Sequence, residues 1–252
     1  MKKDERKIEI FNLINENKSV SVEKLSRKFK VSTSTIRRIL QEMENSKLIQ
    51  RKHGGACSLE VNNYNITYDC KCMKNYIEKD KIARMAASLV EDNDYIMMGS
   101  SSITYIMANY LTQNNISVVT NSLNIANVIK NKKNCQLILL GGYYFNVSQS
   151  IEGIHSSNQI KNMHFNKVFL GADGIDYQFG VSTVTEIELN IKKTSLQNCD
   201  QSFFLCENKK FNIKVPNKVI DLSRVDTIIV DDKITDDDFI KYSEKCKLLV
   251  AK

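Results

Sequence analysis

The stretch VSTSTIRRIL, residues 31–40, places small hydroxyl side chains one helical turn ahead of two adjacent arginines. Hydroxyl and guanidinium groups both bond to phosphate oxygens, and an arginine can also form a bidentate contact with guanine. An exposed helix that begins with such residues is suited to lie in a groove of DNA. The same pattern is compatible with an ordinary amphipathic helix whose solvated face is basic. The candidate DNA contacts of this helix are Ser32, Thr33, Ser34, Thr35, Arg37 and Arg38.

The apolar residues around this stretch predict two helices joined by a short turn. Two sets of apolar residues recur at steps of three and four, which places each set on one face of a helix: Val22, Leu25 and Phe29, and then Ile36, Leu40 and Met43. Helix, turn and helix is the arrangement in which the second helix reads DNA. Residues 48–50 are then expected to form a short strand, followed by a tight turn at Gly54–Gly55 that forms the tip of a wing. The wing supplies four further candidate DNA contacts: Arg51, Lys52, His53 and Gly54.

The charge distribution favours a nucleic-acid partner for the amino-terminal segment. Residues 1–56 carry 14 Lys and Arg against 7 Asp and Glu; since the whole chain has 36 and 29, the remainder has 22 of each. The net charge of +7 therefore lies entirely on the helix-turn-helix segment. A small basic module on a neutral domain is typical of a nucleic-acid binder. No apolar run approaches the roughly 20 residues that span a membrane, so no membrane partner is expected.

From residue 78 onward, short apolar runs alternate with helical patterns. This alternation predicts an α/β fold with a mostly parallel sheet that helices cover on both faces. Strands are predicted at residues 95–98, 116–119, 137–140, 168–170, 203–205, 219–220, 227–230 and 248–250. We therefore expect a small winged helix-turn-helix domain (residues 1–57), a linker (58–77) and a larger three-layer α/β domain (78–252).

The loops at the predicted strand ends are rich in small and hydroxyl residues. Ligands of parallel sheets bind beyond the carboxyl ends of the strands, and free backbone N–H groups at helix starts bind anions. Each loop alone is equally explained as a turn with a helix cap, whereas several converging loops would suit a phosphorylated sugar, with Asp173 accepting bonds from its hydroxyls. The candidate ligand contacts are Ser100, Ser101, Ser102, Thr104, Asn121, Ser122, Gly141, Gly142, Asp173 and Gly174.

Residues 31–56 closely resemble the winged helix-turn-helix of DeoR-type transcriptional regulators, whose pattern is roughly V-S-x-x-T-I-R-R-D-L followed by R-x-H-G-G-A. The resemblance continues through VTNS (119–122), LGG (140–142) and FLGADGI (169–175), and covers nearly all of the chain. It implies a carboxy-terminal domain related to ribose-5-phosphate isomerases that senses a phosphorylated sugar or polyol. A motif similar to the family's D-S-S-K-F adds Lys210 to the candidate ligand contacts.

Four departures from the family pattern bear on specificity. Ile39 stands where the family has Asp after its arginine pair. In the first strand-end loop, Gly99 stands where the family has Asp, Ser101 replaces Gly and Ile103 replaces Thr. These changes bear on which operator is preferred and on which effector binds.

Two classes of function fit these observations. The first is a DNA-binding regulator, expected to repress carbohydrate-metabolism genes, that needs no cofactor or metal and acts as a homo-oligomer (dimer or tetramer) on a repeated or palindromic operator. The alternative is an isomerase or deaminase-like enzyme with an accessory DNA-binding module, in which Asp173 with Glu186, or Glu207 with Lys210, would transfer protons. No histidine lies at a predicted strand end, which favours the non-enzymatic sensor.

The cysteine pattern bears on location. Seven cysteines are scattered without the paired C-x2-C spacing of zinc sites. We therefore expect reduced thiols and a cytoplasmic protein.

Overall fold

The computed structural model describes residues 3–46, 48–52, 54–59 and 68–252. His53, one of the predicted wing contacts, lies outside the described residues. The chain divides into two compact units, residues 1–76 and 77–252. None of the described helices is long and apolar enough to cross a membrane. Cys57, Cys135, Cys199, Cys206 and Cys246 are free thiols.

The amino-terminal unit is a winged helix-turn-helix. Its elements are α1 (Lys3–Asn17), β1 (Ser19–Ser21), α2 (Val22–Phe29), α3 (Thr33–Asn45), β2 (Ile49–Lys52), β3 (Gly55–Ser58) and α4 (Tyr68–Met73). The three strands form an antiparallel sheet in the order β1-β3-β2. Ser21 and Ser32 cap α2 and α3, because their side-chain oxygens accept backbone N–H bonds from Lys24 and Thr35.

Two features of this unit differ from the sequence expectation. The wing has a second strand, β3, after the predicted turn. The predicted linker (58–77) contains helix α4 in its second half, and Cys70 and Met73 pack on the core of the amino-terminal unit. No clear helical period is visible there because α4 is only six residues long.

The carboxy-terminal unit is built on seven parallel strands. Its elements are α5 (Tyr76–Ser88), β4 (Tyr95–Met98), α6 (Ser102–Tyr110), β5 (Ile116–Thr120), α7 (Leu123–Ile129), β6 (Cys135–Leu139), β7 (Tyr143–Phe145), β8 (Ser150–Glu152), α8 (Ile154–Ile160), β9 (Phe165–Gly171), β10 (Gly174–Asp176), β11 (Gly180–Thr183), α9 (Glu186–Leu196), β12 (Cys199–Cys206), β13 (Asn217–Ile220), β14 (Thr227–Asp231), α10 (Asp236–Ser243) and β15 (Lys247–Ala251). The large sheet has the order β15-β14-β12-β9-β4-β5-β6, and every pairing in it is parallel.

The strand order reverses between β4 and β9. From β4 the chain proceeds outward through β5 to β6, and then returns to β9 on the other side of β4 and proceeds through β12 and β14 to β15. Because parallel crossovers are right-handed, chains that proceed in opposite directions place their helices on opposite faces of the sheet. The predicted three-layer α/β fold is therefore confirmed.

The small antiparallel elements were not predicted correctly from the sequence. Residues 219–220, expected as a further strand of the large sheet, belong to β13, which pairs antiparallel with β11 in a separate sheet ordered β10-β11-β13. The hairpin of β7 and β8, and helix α8, were also not predicted. Strands and helices of three to seven residues are too short for a periodic pattern to mark them.

A buried ion pair lies at the end of the large sheet where its parallel strands begin. Lys167 of β9 donates to Asp94 at 2.7 Å, and only 9% and 8% of their side chains are exposed. Lys167 also bonds to Glu91 at 2.8 Å, although the Glu91 side chain is 79% exposed. Burial lowers the pKa of Lys167, but its hydrogen bonds to the two carboxylates more than offset this, so the net pKa shift is upward.

We predict that Lys167→Met lowers the free energy of unfolding by about 3 kcal/mol, because it leaves the buried Asp94 carboxylate without its cation. Glu91→Gln is the matched control, and its loss should stay below about 1 kcal/mol because that carboxylate is in water. Urea denaturation of the full chain, followed by far-ultraviolet circular dichroism, measures both. Equal losses in the two variants would contradict this account of the ion pair.

Candidate nucleic-acid interface and effector site

Helix α3 presents a polar and basic face to solvent. Its apolar residues Ile36, Leu40 and Met43 are fully buried in the core of the amino-terminal unit. Its exposed residues include Thr33, Ser34, Arg37 and Arg38. The amphipathic spacing that predicts the helix therefore also directs both arginines outward, where they are available to phosphates and base edges.

The hydroxyl residues before the arginines do two different things. Ser32 Oγ accepts the backbone N–H of Thr35 at 3.2 Å and contacts the hydroxyls of Ser34 at 2.8 Å and Thr35 at 2.9 Å. Part of this set therefore closes the start of the helix, as expected of an N-cap. Thr33 is exposed on the same turn.

Ile39 occupies a core position. It is only 2% exposed and packs with the other buried residues of α3. This departure from the family pattern therefore adds apolar burial to the unit. It does not place a new side chain on the outward face beside the arginines.

The wing residues are placed differently from one another. Arg51 Nη1 donates to Gln41 of α3, and the Arg51 backbone N–H donates to Glu44 Oε1 at 3.0 Å. Arg51 therefore links the wing to α3, while Lys52 is exposed. Gly54 is exposed and has φ of +77°, a conformation that side chains rarely adopt and that the turn of the wing requires.

In the carboxy-terminal unit, the loops after β4 and β9 touch. The Gly99 backbone N–H donates to the Phe169 carbonyl at 3.0 Å. A Cβ atom on Gly171 would lie 2.6 Å from Ser101 Cβ, so glycine at this position permits the close approach. The two predicted loops therefore meet at the switch point of the sheet, where ligands of such folds bind.

The hydroxyls of the loop after β4 are mostly used within the loop. Ser101 and Thr104 form a reciprocal capping box at the start of α6. The Thr104 hydroxyl also contacts the Gly99 carbonyl at 2.5 Å, and Thr104 is fully buried. Ser100 and Ser102, which are partly exposed, are therefore the hydroxyls of this loop best placed to meet a ligand.

The loop after β5 contains a buried polar atom without a partner. Asn121 is 3% exposed, and its Nδ2 lies 3.4 Å from Ser100 Oγ. Its Oδ1 has no hydrogen-bond partner in the part of the chain that the structure describes. A buried acceptor without a donor is costly, so this atom marks a place where a ligand donor would be stabilising. The neighbouring Ser122 caps α7.

The loop after β6 is tied to helix α8. Ser156 Oγ donates to the Gly141 carbonyl at 2.8 Å. A Cβ atom on Gly142 would lie 2.7 Å from the Glu152 carbonyl oxygen. Both glycines are exposed, so their backbone remains accessible while the fold limits side chains there.

Asp173 lies in a cluster of charged and hydroxyl groups. Its Oδ2 accepts the Val184 backbone N–H at 3.1 Å and lies 3.0 Å from Thr183 Oγ1. Thr183 Oγ1 also lies 2.7 Å from Glu188 Oε2 and 2.9 Å from Lys192 Nζ. Its hydroxyl can accept from the lysine and donate its one proton to either carboxylate.

Thr183, Glu188 and Lys192 were not predicted from the sequence as part of the site. The available signal was the four-residue spacing of Glu188 and Lys192 on a predicted helix, which places the two side chains together. Nothing in the sequence showed that they face Asp173. The predicted Gly174, by contrast, lies buried in β10, where a Cβ atom would lie 2.5 Å from the Ile213 carbonyl.

The cluster holds carboxylates in two electrostatic environments. Burial raises the pKa of Asp173, but the charges of Lys192 and Lys210 more than offset this, so the net pKa shift is downward. Burial raises the pKa of Glu152, and the charge of Glu188 adds to that increase. The site therefore offers a stable anion and cations, which together can bind hydroxyl groups and a phosphate.

The acidic residues of the enzymatic alternative other than Asp173 lie in two different settings. Glu186 is exposed in the first turn of α9. Glu207 pairs with Lys79 of α5 at 3.6 Å. A cavity of about 540 Å³ lies at the opposite end of the strands, near the points where β9, β12 and β14 begin. Its lining residues include Lys167 and Asp226. We prefer the strand-end cluster as the candidate site because the loops after β4 and β9 meet there.

We predict that Asp173→Asn lowers stability at pH 7, because it removes an anion held by Lys192 and Lys210. A lowered pKa gives stability that is present above the unfolded value of about 3.9 and is lost as the pH falls through the folded value. The difference in the free energy of unfolding between wild type and variant should therefore be constant from pH 7 to about 5, and it should decrease below about pH 4. Urea denaturation across this pH series, with exposed Glu186→Gln as control, checks it; a difference independent of pH would contradict it.

Two domain families match the chain. The DeoR-like helix-turn-helix domain matches residues 6–61, and the DeoR C terminal sensor domain matches residues 74–232. Curated relatives include an HTH-type transcriptional regulator GolR of Listeria innocua, which is 30% identical over 95% of both chains. They also include a lactose phosphotransferase system repressor of Streptococcus mutans, 30% identical over 97% of this chain and 99% of that protein. An L-fucose operon activator of Haemophilus influenzae is 28% identical over 96% and 97%.

Solved structures show a partial likeness. Ribose 5 phosphate isomerase A from Neisseria gonorrhoeae gives a TM-score of 0.39 at 15% identity, over 53% of this chain and 52% of that chain. Translation initiation factor eIF-2B from Pyrococcus horikoshii gives 0.44 at 15% identity, over 62% of each chain. This likeness is too weak to carry an argument, whereas the two domain matches together span most of the sequence. The chain therefore belongs to the DeoR family of transcriptional regulators.

Proposed function

We propose that this regulator represses carbohydrate-metabolism genes and that a phosphorylated sugar or polyol, bound at the strand-end cluster around Asp173, modulates its operator binding. The observation that carries the proposal is the combination, on one chain, of an outward-facing arginine pair and a separate charged cluster at a sheet switch point. The DNA-binding domain comprises residues 1–57, and residues 78–252 sense the effector. The sensor does not turn its ligand over.

The outward arginines of α3 support direct reading of DNA. Arg37 and Arg38 are exposed while the opposite face of the same helix is buried. An arginine that contacts a guanine contributes about 1–3 kcal/mol of discrimination. The family's reading helix occupies the same place in the sequence.

We predict that Arg37→Ala and Arg38→Ala each weaken specific operator binding by at least about tenfold per guanine contact removed. The fold should be retained because neither side chain is buried. Fluorescence anisotropy with DNA from upstream of the protein's own gene neighbourhood measures the affinity. Arg224→Ala is the matched control, since Arg224 is an exposed arginine of the other unit. Unchanged operator affinity in both α3 variants would refute the reading helix.

Salt dependence separates phosphate contacts from base contacts. Each phosphate contact releases counterions, so the affinity should fall steeply as salt rises. A variant that loses only a phosphate contact weakens all sequences alike and lowers the salt slope by about one.

The Asp173 cluster supports a ligand with hydroxyl and phosphate groups. Carboxylates accept bonds from sugar hydroxyls, while Lys192 and Lys210 supply positive charge for a phosphate. The unpartnered Asn121 Oδ1 adds a buried acceptor in the adjacent loop. The relatives' names mention lactose and fucose systems, which agrees with a carbohydrate effector.

Coupling between effector and DNA can proceed through the loop after β12. A short 3-10 turn at Asn208–Lys210 carries Lys210, whose charge acts on Asp173. The same loop carries Glu207, which pairs with Lys79 on α5, the first helix of the sensing unit. A ligand that displaces Lys210 would therefore shift α5 and change the populations of domain arrangements in which two reading heads match successive half-sites.

We predict that Asp173→Ala binds operator DNA like wild type but no longer responds to effector. The measurement is the same anisotropy titration with a panel of pentose, hexose and polyol phosphates, with inorganic phosphate as the minimal probe. Asp200→Ala is the matched control, because Asp200 is an exposed carboxylate at the opposite end of the sheet. A variant that keeps the wild-type effector response would disprove the site.

The enzymatic alternative has its own test on the same panel. Any turnover of a sugar phosphate that depends on Asp173 would overturn the assignment as a sensor. If DNA binding is seen but no compound alters it, the assignment of α3 as the DNA-reading helix is retained. The altered loop of residues 99–104 has then lost its ligand.

A further inference from the structure

One edge of the large sheet continues into an exposed aromatic hairpin. β6 is the last strand of the sheet, and within the described ranges only β5 pairs with it. The chain then enters the β7–β8 hairpin, every residue of whose first strand is exposed. The exposed large apolar side chains here are Leu139, Tyr143, Tyr144, Phe145, Val147 and Ile154. We call this surface, β6 with the β7–β8 hairpin and Ile154, the apolar edge.

The apolar edge lacks the charges that normally protect a sheet edge. Residues 134–151 contain no Asp, Glu, Lys, Arg or His, although 26% of the chain is charged. The opposite edge strand, β15, has Lys247 within the strand, whereas the charged residues nearest to β6 and the hairpin are Lys132 and Lys133 before β6 and Glu152 at the end of β8. Soluble proteins place charged residues, lysine above all, on exposed edge strands to prevent unwanted pairing. The contrast between the two edges indicates that the apolar edge is covered in the working protein.

We propose that the apolar edge is a two-fold interface between two copies of this chain. A two-fold contact places a surface against itself, so any charge on it meets a like charge in the symmetry-related copy. Glu152 at the end of β8 is buried, so the exposed side chains of the apolar edge would not bring like charges together in such a contact. Enrichment in tyrosine and phenylalanine with depletion of charge is the composition of an interface core.

The proposal rests on the proposed function in one respect only. A reader of two half-sites needs two reading heads, and therefore at least two copies of the chain. The surface itself follows from the exposure and charge of residues in the sensing unit, which do not depend on DNA.

The second strand of this hairpin, β8, also packs against α9, a helix of the candidate effector site. Ser148 and Ser150 both donate to Glu152, which is buried at the end of β8. α9 carries Glu188 and Lys192, and burial together with the charge of Glu188 raises the pKa of Glu152. The interface and the effector site therefore share one short element, β8. A ligand that moves Glu152 would change the contact between the two copies.

The test is the mass of the full-length protein in solution without DNA, measured by sedimentation equilibrium. We expect wild type to be a dimer or an even multiple of it. Tyr144→Glu with Val147→Glu should halve that mass and weaken self-association at least about 100-fold, because each copy then buries unpaired charges. Both positions are well exposed, at 46% and 63%, so the monomer should fold.

The matched control is Phe239→Glu with Ile240→Glu on α10, an aromatic and an aliphatic residue exposed to 37% and 64%. This pair should leave the mass unchanged. A monomeric wild type, an unchanged mass in the hairpin variant, or an equal effect of the control pair would each overturn the interface. If far-ultraviolet circular dichroism shows that the double variant does not fold, Val147→Lys alone applies the same test.

These outcomes do not depend on operator binding. A wild-type dimer that the hairpin variant dissociates supports the interface even if no operator is found. A monomeric protein that reads its operator would overturn the interface and leave the reading helix intact.

Discussion

The pairing of β4 with β9 is the constraint on which the sensing unit depends. These strands are neighbours in the sheet although some 70 residues separate them, and their parallel register aligns Met98 with Phe169. Their carboxyl ends therefore lie side by side, which brings the loop that begins at Gly99 against Gly171. The loop that carries Asp173 starts from this adjacency, and the antiparallel pairing of β10 with β11 then brings Thr183 to Asp173.

The cluster around Asp173 shows how a fold can hold charges ready for a ligand. Thr183 contacts two carboxylates and one ammonium group within 3.0 Å. Such a network is satisfied without ligand, yet it can exchange internal bonds for bonds to hydroxyls and phosphate with little reorganisation. The unpartnered Asn121 Oδ1 is the exception, and it lies in the loop next to the switch point.

Local patterns in the sequence predicted local structure well. The Ser32 cap, the buried stripe of α3 and the apolar runs of the parallel strands each depend on residues close together in the chain, and each was confirmed. The strand order was not predictable, since a buried run carries no signal about its neighbour in the sheet. For the same reason Thr183 and Lys192 were missed, because only the pairing of distant segments brings them to Asp173. Ser101 and Thr104 were expected to face a ligand, but hydroxyls at a helix start serve capping equally well.

We propose that the binding of effector and the binding of operator are coupled through one chain. Coupling of this kind is reciprocal, so operator DNA must change the affinity for the effector by the same factor by which the effector changes the affinity for DNA. The most direct measurement is calorimetric titration of the effective sugar phosphate into the protein, with and without saturating operator DNA. The account predicts two dissociation constants that differ by the factor found in the DNA titration. Equal effector affinities in the two states would contradict it.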